Sequence, residues 1–198
     1  MSSRHGEKFM LWIDGVGGYS VCMADAVVLG QPSGKNGVAV PILGNLSGRH
    51  ARIRRDGEAY LIEAMHRTYV HGEAVNRIAP LDDGSIITLG DSVQLRFWRP
   101  HVLSATARLD FVSRHRTEPG VDAVLLMAHS CLLGPKPNSH VVCEAWTDEL
   151  VLYRHGYELY CRCRSRATFE VDGLECRRHA RVGRGMRIAG DQFAVAIE

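Results

Sequence analysis

Residues 46–57 read Leu46-Ser47-Gly48-Arg49-His50-Ala51-Arg52-Ile53-Arg54-Arg55-Asp56-Gly57. Ala51 and Ile53 alternate with Arg52 and Arg54, the period-two pattern of a half-buried strand with its arginines outward, and Asp56-Gly57 turns the chain into Tyr60-Leu61-Ile62. Just before the strand, Ser47, Arg49 and His50 are residues that hydrogen-bond and neutralise an anion such as a phosphate. A Ser-x-x-His spacing with neither a nucleophile elbow nor an orienting acid does not make a hydrolase. These residues therefore suggest a binding module rather than an enzyme.

The same short-strand punctuation extends outward in both directions. Phe9 to Asp14, Tyr19 to Met23, Ala26 to Leu29 and Val38 to Leu43 lie upstream, the third and fourth separated by the turn-rich loop from Gln31 to Gly37. Downstream come Thr68-Tyr69-Val70 with a turn at His71-Gly72, a turn at Leu81 to Gly84, Ile86 to Leu89, and the alternating Val93 to Trp98. No window of 11 or more residues has helical periodicity, and strands at such short spacing predict an all-β sandwich.

Length and composition narrow the alternatives. The 198 residues, 45% hydrophobic and 23% charged, suit one large or two small globular domains. No apolar run approaches the roughly 20 residues of a membrane-spanning helix, and Asp14, Gly15, Gly17 and Gly18 interrupt the only early apolar stretch, so a cytoplasmic chain is expected. Of 24 basic residues only Lys8, Lys35 and Lys136 are lysines, which fits either phosphate recognition or genome composition. The six cysteines lack a CxxC pair and read as reduced, mostly buried thiols; no cofactor or metal is expected.

After Arg99-Pro100-His101 the sequence begins again. Leu89 to Phe97 is echoed by Ala189 to Ile197, His50-Ala51-Arg52-Ile53 by His140-Val141-Val142-Cys143, Asp25 to Leu29 by Asp122 to Leu126, and Val70-His71-Gly72 by Val171-Asp172-Gly173. Four echoes in the same order predict a tandem repeat of one β-domain, 1–100 and 101–198.

The first repeat resembles the forkhead-associated (FHA) domain through Leu29-Gly30, Ser47-Gly48-Arg49-His50-Ala51, Thr68-Tyr69-Val70-His71-Gly72 and Leu81 to Gly90. The resemblance implies an eleven-stranded sandwich that reads phosphothreonine on loops at one end. It makes Ser47 the phosphate-binding serine, His50 a loop brace beside Gly30, and Thr68 the family's threonine. Gln31 stands where an arginine is usual, Gly48 replaces the arginine beside the serine, and His66-Arg67 replaces Asn-Gly. Arg49 and Arg67 are the candidates to compensate for the lost charge-assisted bond. In the second repeat Pro137 aligns with Ser47 and Phe169 with Thr68, which implies an FHA-like fold without the phosphothreonine site.

Three readings follow for partners. The first is a Thr-phosphorylated protein bound at Ser47, Arg49, His66, Arg67, Thr68 and Gln31. The second is a phosphorylation-independent scaffold, with self-association open. The third is a polyanion bound along the arginines of the second half, where Arg162, Arg164 and Arg166 alternate on one strand face. Phe169 is the only aromatic that this reading finds near them for base stacking, so charge protection of an edge strand competes with it.

Overall fold

The computed structural model describes residues 8–32, 37–101, 103–165 and 168–198. The described chain is all-β. It opens with a hairpin, β1 (Lys8–Ile13) and β2 (Gly17–Cys22). Nine strands follow: β3 (Ala26–Gly30), β4 (Val40–Leu43), β5 (Ala51–Asp56), β6 (Ala59–Ala64), β7 (Thr68–Val70), β8 (Glu73–Ala74), β9 (Ile78–Leu81), β10 (Ile86–Leu89) and β11 (Val93–Trp98). Then come β12 (Ala107–Phe111), the short β13 (Arg116–Thr117) and β14 (Ala123–Leu126). Nine more end the chain: β15 (Ser130–Gly134), β16 (Val141–Val142), β17 (Leu150–His155), β18 (Glu158–Cys163), β19 (Phe169–Val171), β20 (Leu174–Cys176), β21 (Ala180–Val182), β22 (Arg187–Gly190) and β23 (Phe193–Ile197).

One twelve-stranded sheet runs through the molecule in the order β20-β19-β22-β23-β1-β2-β14-β12-β11-β10-β7-β8. Two smaller sheets cover it, one ordered β13-β4-β3-β5-β6-β9 and the other β16-β15-β17-β18-β21. The faces they cover are read from β14. Val124 and Leu126 join the core formed with β3 to β12, whereas Ala123 and Leu125 join the core formed with β1, β2 and β15 to β23. Successive residues of a strand point to opposite faces, so the two smaller sheets lie on opposite sides of the long one. β14 is buried along both faces and pairs in parallel with β2, from Ala123 opposite Tyr19 to Leu126 opposite Cys22.

Strand pairing repeats within the chain. β3 pairs in parallel with β4 and antiparallel with β5, while β6 links β5 to β9; β15, β16, β17, β18 and β21 repeat this pattern. Likewise the ladder β8-β7-β10-β11 is matched by β20-β19-β22-β23. Turn geometry agrees: His71 and Asp172 take φ of 52° and 51°, each followed by a glycine with positive φ. The expected echo of Asp25 to Leu29 in Asp122 to Leu126 is corrected here, because β3 corresponds to β15 and the latter segment is β14.

The correspondence also moves the first hairpin. β11 is flanked by β12, its successor in the chain, but β23 is flanked by β1 from the opposite end. One sandwich is therefore β3 to β11 completed by β12 and β14, and the other is β15 to β23 completed by β1 and β2. A cut at residue 100 passes through a continuous sheet, since Leu95 to Trp98 pair with Phe111 to Arg108. Pro100 marks a connection within the sheet and no gap in the packing.

Buried thiols follow from these cores. Cys131, Cys143, Cys161 and Cys163 are buried, and burial pushes each up to about 12, so they stay protonated.

Exchange of the hairpin predicts how fragments behave. Residues 1–100 and 101–198, produced separately, each lack two strands of their own sandwich and expose an unpaired sheet edge. Each is expected to aggregate alone, and co-expression is expected to return a soluble complex on size exclusion. A monomeric 1–100 fragment that unfolds cooperatively contradicts the exchange.

Candidate functional site

The loops after β3, between β4 and β5, and between β6 and β7 meet at one end of the first sandwich. Gly30 makes the meeting possible, because a Cβ there would lie 2.4 Å from the Gly48 carbonyl oxygen and 2.7 Å from that of Ser47. No side chain fits this approach. The Gln31 amide donates to the Ser47 carbonyl at 3.0 Å, and the His50 amide donates to the Leu29 carbonyl at 2.8 Å.

His50 is buried at the centre of this junction. Its Nδ1 accepts from the Ser47 amide at 3.3 Å, and its Nε2 lies 2.9 Å from the Arg67 carbonyl. Those two contacts are both met by the neutral ring with the proton on Nε2, and the Gly90 amide, 3.1 Å from that nitrogen, then donates to the Arg67 carbonyl at 2.9 Å instead. Burial lowers its pKa, opposed by the Arg67 carbonyl, and the nearby His66 ring lowers it further. The His50 carbonyl accepts from the amides of Met65 and His66 at 3.1 and 2.9 Å, so one residue ties three loops.

The expected ligand-binding residues separate into two sets. Ser47 is half-buried, Arg49, His66, Arg67 and Gln31 are exposed, and among the described residues the Ser47 hydroxyl makes no hydrogen bond. Thr68, by contrast, is buried, and its hydroxyl donates to the His66 carbonyl at 2.8 Å, which spends it on shaping the loop. Arg67 forms an ion pair with Asp91, a residue the sequence reading did not single out. No local pattern signals that pair, because β7 and β10 bring the two residues together across the sheet.

The second sandwich carries different chemistry at the same place. Leu29 pairs with Ala51 and Leu133 with Leu150, which puts Glu149 where His50 stands. Neither His140 nor Pro137 occupies the place expected from the sequence. Gly134 stands where Gly30 does, but it is approached by the Glu149 side chain, its Cβ position lying 2.8 Å from the Glu149 Cγ, where Gly30 is approached by backbone. Glu149 is 3% exposed and pairs with Lys136 at 2.7 Å and Arg164 at 2.5 Å. Burial alone would raise its pKa, but the hydrogen bonds from Lys136 and Arg164 outweigh it and hold the carboxyl below its ordinary range. An internal carboxylate thus neutralises cations beside the second loop cluster. Phe169 opens β19 as Thr68 opens β7, and both are buried.

His140 lies elsewhere in this sandwich, with Nδ1 accepting from the Leu132 amide at 2.9 Å and Nε2 buried without a partner among the described residues. Burial, reinforced by His101, lowers its pKa to about 4. The unfolded chain binds that proton near pH 6.5 and the folded protein only near pH 4. Stability from this residue is therefore complete above about pH 6.5 and falls as the pH drops toward 4, by a total of about 3 kcal/mol. Urea unfolding between pH 7.5 and 4 is expected to show the slope, and His140→Asn, which keeps an acceptor, is expected to reduce it. At pH 7.5, His50→Ala is expected to cost about 1–3 kcal/mol through the Ser47 amide it leaves unpaired and the packing of the buried ring, while the Arg67 carbonyl keeps the Gly90 amide.

Residues 27–90 match the FHA domain family. Solved structures similar to the chain include an FHA domain analysed for phosphothreonine-dependent FHA domain interactions, 26% identical over 42% of this chain and 88% of that one, with a TM-score of 0.30. The FhaA FHA domain complexed with the intracellular domain of Rv3910 is 27% identical over 41% and 91%, also at 0.30. The N-terminal FHA domain of EssC, a component of the bacterial Type VII secretion apparatus, is 8% identical over 96% and 92%, at 0.27. No curated protein matches. The segment from β3 to the end of β10, with Ser47, His50 and Thr68 on it, carries an FHA domain.

Proposed function

We propose that this chain is a non-enzymatic, cytoplasmic protein-interaction module whose first sandwich recognises a phosphothreonine-containing protein. The observation that carries the reading is Ser47. It is half-buried on the loop end of the FHA segment, with a hydroxyl that no described residue engages, and His50 fixes its backbone. Phosphate oxygens accept from the Ser47 hydroxyl and from the exposed Arg49, while Gln31, His66 and the loop leading to Thr68 border the peptide. Arg67 joins them to the extent that phosphate displaces Asp91.

The chain copies behind this module are 1–100 and 101–198, each opening with two strands of the long sheet, β1 and β2 or β12 and β14 with the short β13 between them, and continuing with nine strands, the opening strands being exchanged between sandwiches. The second copy is a degenerate FHA-like domain in which Glu149 supplies the anion internally. A phosphorylation-independent scaffold is the second reading. It is favoured by the Arg67–Asp91 pair and by the burial of Thr68, and it leaves docking or self-association to the sandwich surfaces.

A phosphothreonine peptide library with unphosphorylated twins separates the two. Phosphopeptides are expected to bind selectively, and Ser47→Ala to weaken the best of them about 10- to 100-fold, the worth of a charge-assisted hydrogen bond. Equal binding of both twins overturns phosphate reading. A partner whose affinity Ser47→Ala leaves unchanged supports the scaffold.

A further inference from the structure

The outward face of the β16-β15-β17-β18-β21 sheet gathers side chains that lie far apart in sequence. β17 contributes Val151, Tyr153 and His155, β18 contributes Glu158, Tyr160 and Arg162, and β21 contributes Arg181. Tyr153 and Tyr160 are directly opposite across the ladder, their rings 22° from parallel with centroids 5.7 Å apart. His155 and His179 meet the Tyr160 ring edge-on at 6.3 and 6.2 Å. Glu158 is the one carboxylate among these seven strand positions. It accepts from the Tyr160 hydroxyl at 2.8 Å and pairs with Arg181 at 3.0 Å. Arg162 lies opposite Val151 and has no ion pair among the described residues.

The corresponding face of the first sandwich shows what is particular to this one. There Arg52 and Arg54 both pair with Glu63, and Leu61 is the residue at the Tyr160 position. Strand register puts Arg162 where Glu63 stands and Tyr153 where Arg54 stands. A self-neutralised surface has become one with two adjacent tyrosine rings, bordered by Arg162 and by Arg181, the latter paired with Glu158. Arg164, by contrast, is drawn to Glu149, and Arg166 lies outside the described residues.

We infer that this face binds single-stranded nucleic acid, with bases against Tyr153 and Tyr160 and phosphates on Arg162 and Arg181. Aromatic side chains accept any base through its π-face, and arginines track the backbone beside them. Positive charge alone fits any acidic partner. The paired tyrosines at the centre of the same face are what favour bases over acidic side chains.

The test uses the full chain and a fluorescein-labelled oligo-dT 12-mer, followed by anisotropy at 50 and 200 mM salt. Binding is expected to weaken with salt, as counterion release requires. Tyr153→Leu and Tyr160→Leu are each expected to weaken binding about tenfold, Arg162→Glu by at least as much, and Tyr160→Phe, which keeps the ring, by little. Unchanged circular dichroism accompanies each variant. Absence of binding at 50 mM salt overturns the inference, as does binding that the leucine variants leave intact. Competition by poly-glutamate equal to that by unlabelled oligo-dT also overturns it, in favour of an acidic polypeptide.

Discussion

The parallel pairing of β2 with β14 is the constraint on which the rest of the molecule depends. These two strands sit at the centre of the twelve-stranded sheet, and β14 buries Ala123 and Leu125 on one side and Val124 and Leu126 on the other. Such a strand leaves no solvated face, which is why its sequence is a continuous apolar run rather than an alternating one. Through it the two cores share a wall. The second sandwich depends on β1 and β2 from the far end of the chain, and the FHA segment gains its full sheet only through β11, β12 and β14 beyond it.

Given that shared frame, chemistry varies at matched positions. His50 and Glu149 fill the same place in the two loop clusters, but one is a neutral brace and the other a buried carboxylate held by two cations. In the first, no described residue engages the Ser47 hydroxyl. In the second, the anion beside the loops is internal. A buried carboxylate loses more solvation than one ion pair returns, and Lys136 and Arg164 together are what keep Glu149 ionised. On the outer sheets the same comparison sets Glu63, which ties down two arginines, against Arg162, which has no such partner among the described residues.

Much of this was legible in the sequence. Alternation at Ala51 to Arg54 and Val93 to Trp98, and glycine after His71, dictate strands and turns through local sterics, and the structure has them there. The Ser47 to His50 loop was legible because a hydroxyl and an imidazole before a strand are a local pattern. The hairpin exchange was not, because β1 and β2 present the same alternating faces whichever sandwich they complete. Only long-range packing decides between the two. Glu149 was hidden by a shorter connection between β15 and β17 than between β3 and β5, which shifts the linear echo onto His140. Tyr160 stands two positions from Arg162 and was open to a sequence reading, but Tyr153 and Tyr160 are seven positions apart and meet only across the hairpin turn at Gly156, so their pairing is set by strand register. The ion pair of Arg67 with Asp91 likewise exists only once β7 lies beside β10.

The central claim is that two sandwiches built on one sheet form a single folding unit. Trp98 belongs to β11 in the first sandwich and Trp146 to the core of the second, so single-tryptophan variants retaining one or the other report separately on each. Urea unfolding followed by the fluorescence of each is the most direct measurement. Superimposable transitions with the same midpoint and slope are the predicted result. Two transitions at distinct urea concentrations, with one sandwich standing after the other has unfolded, would contradict it.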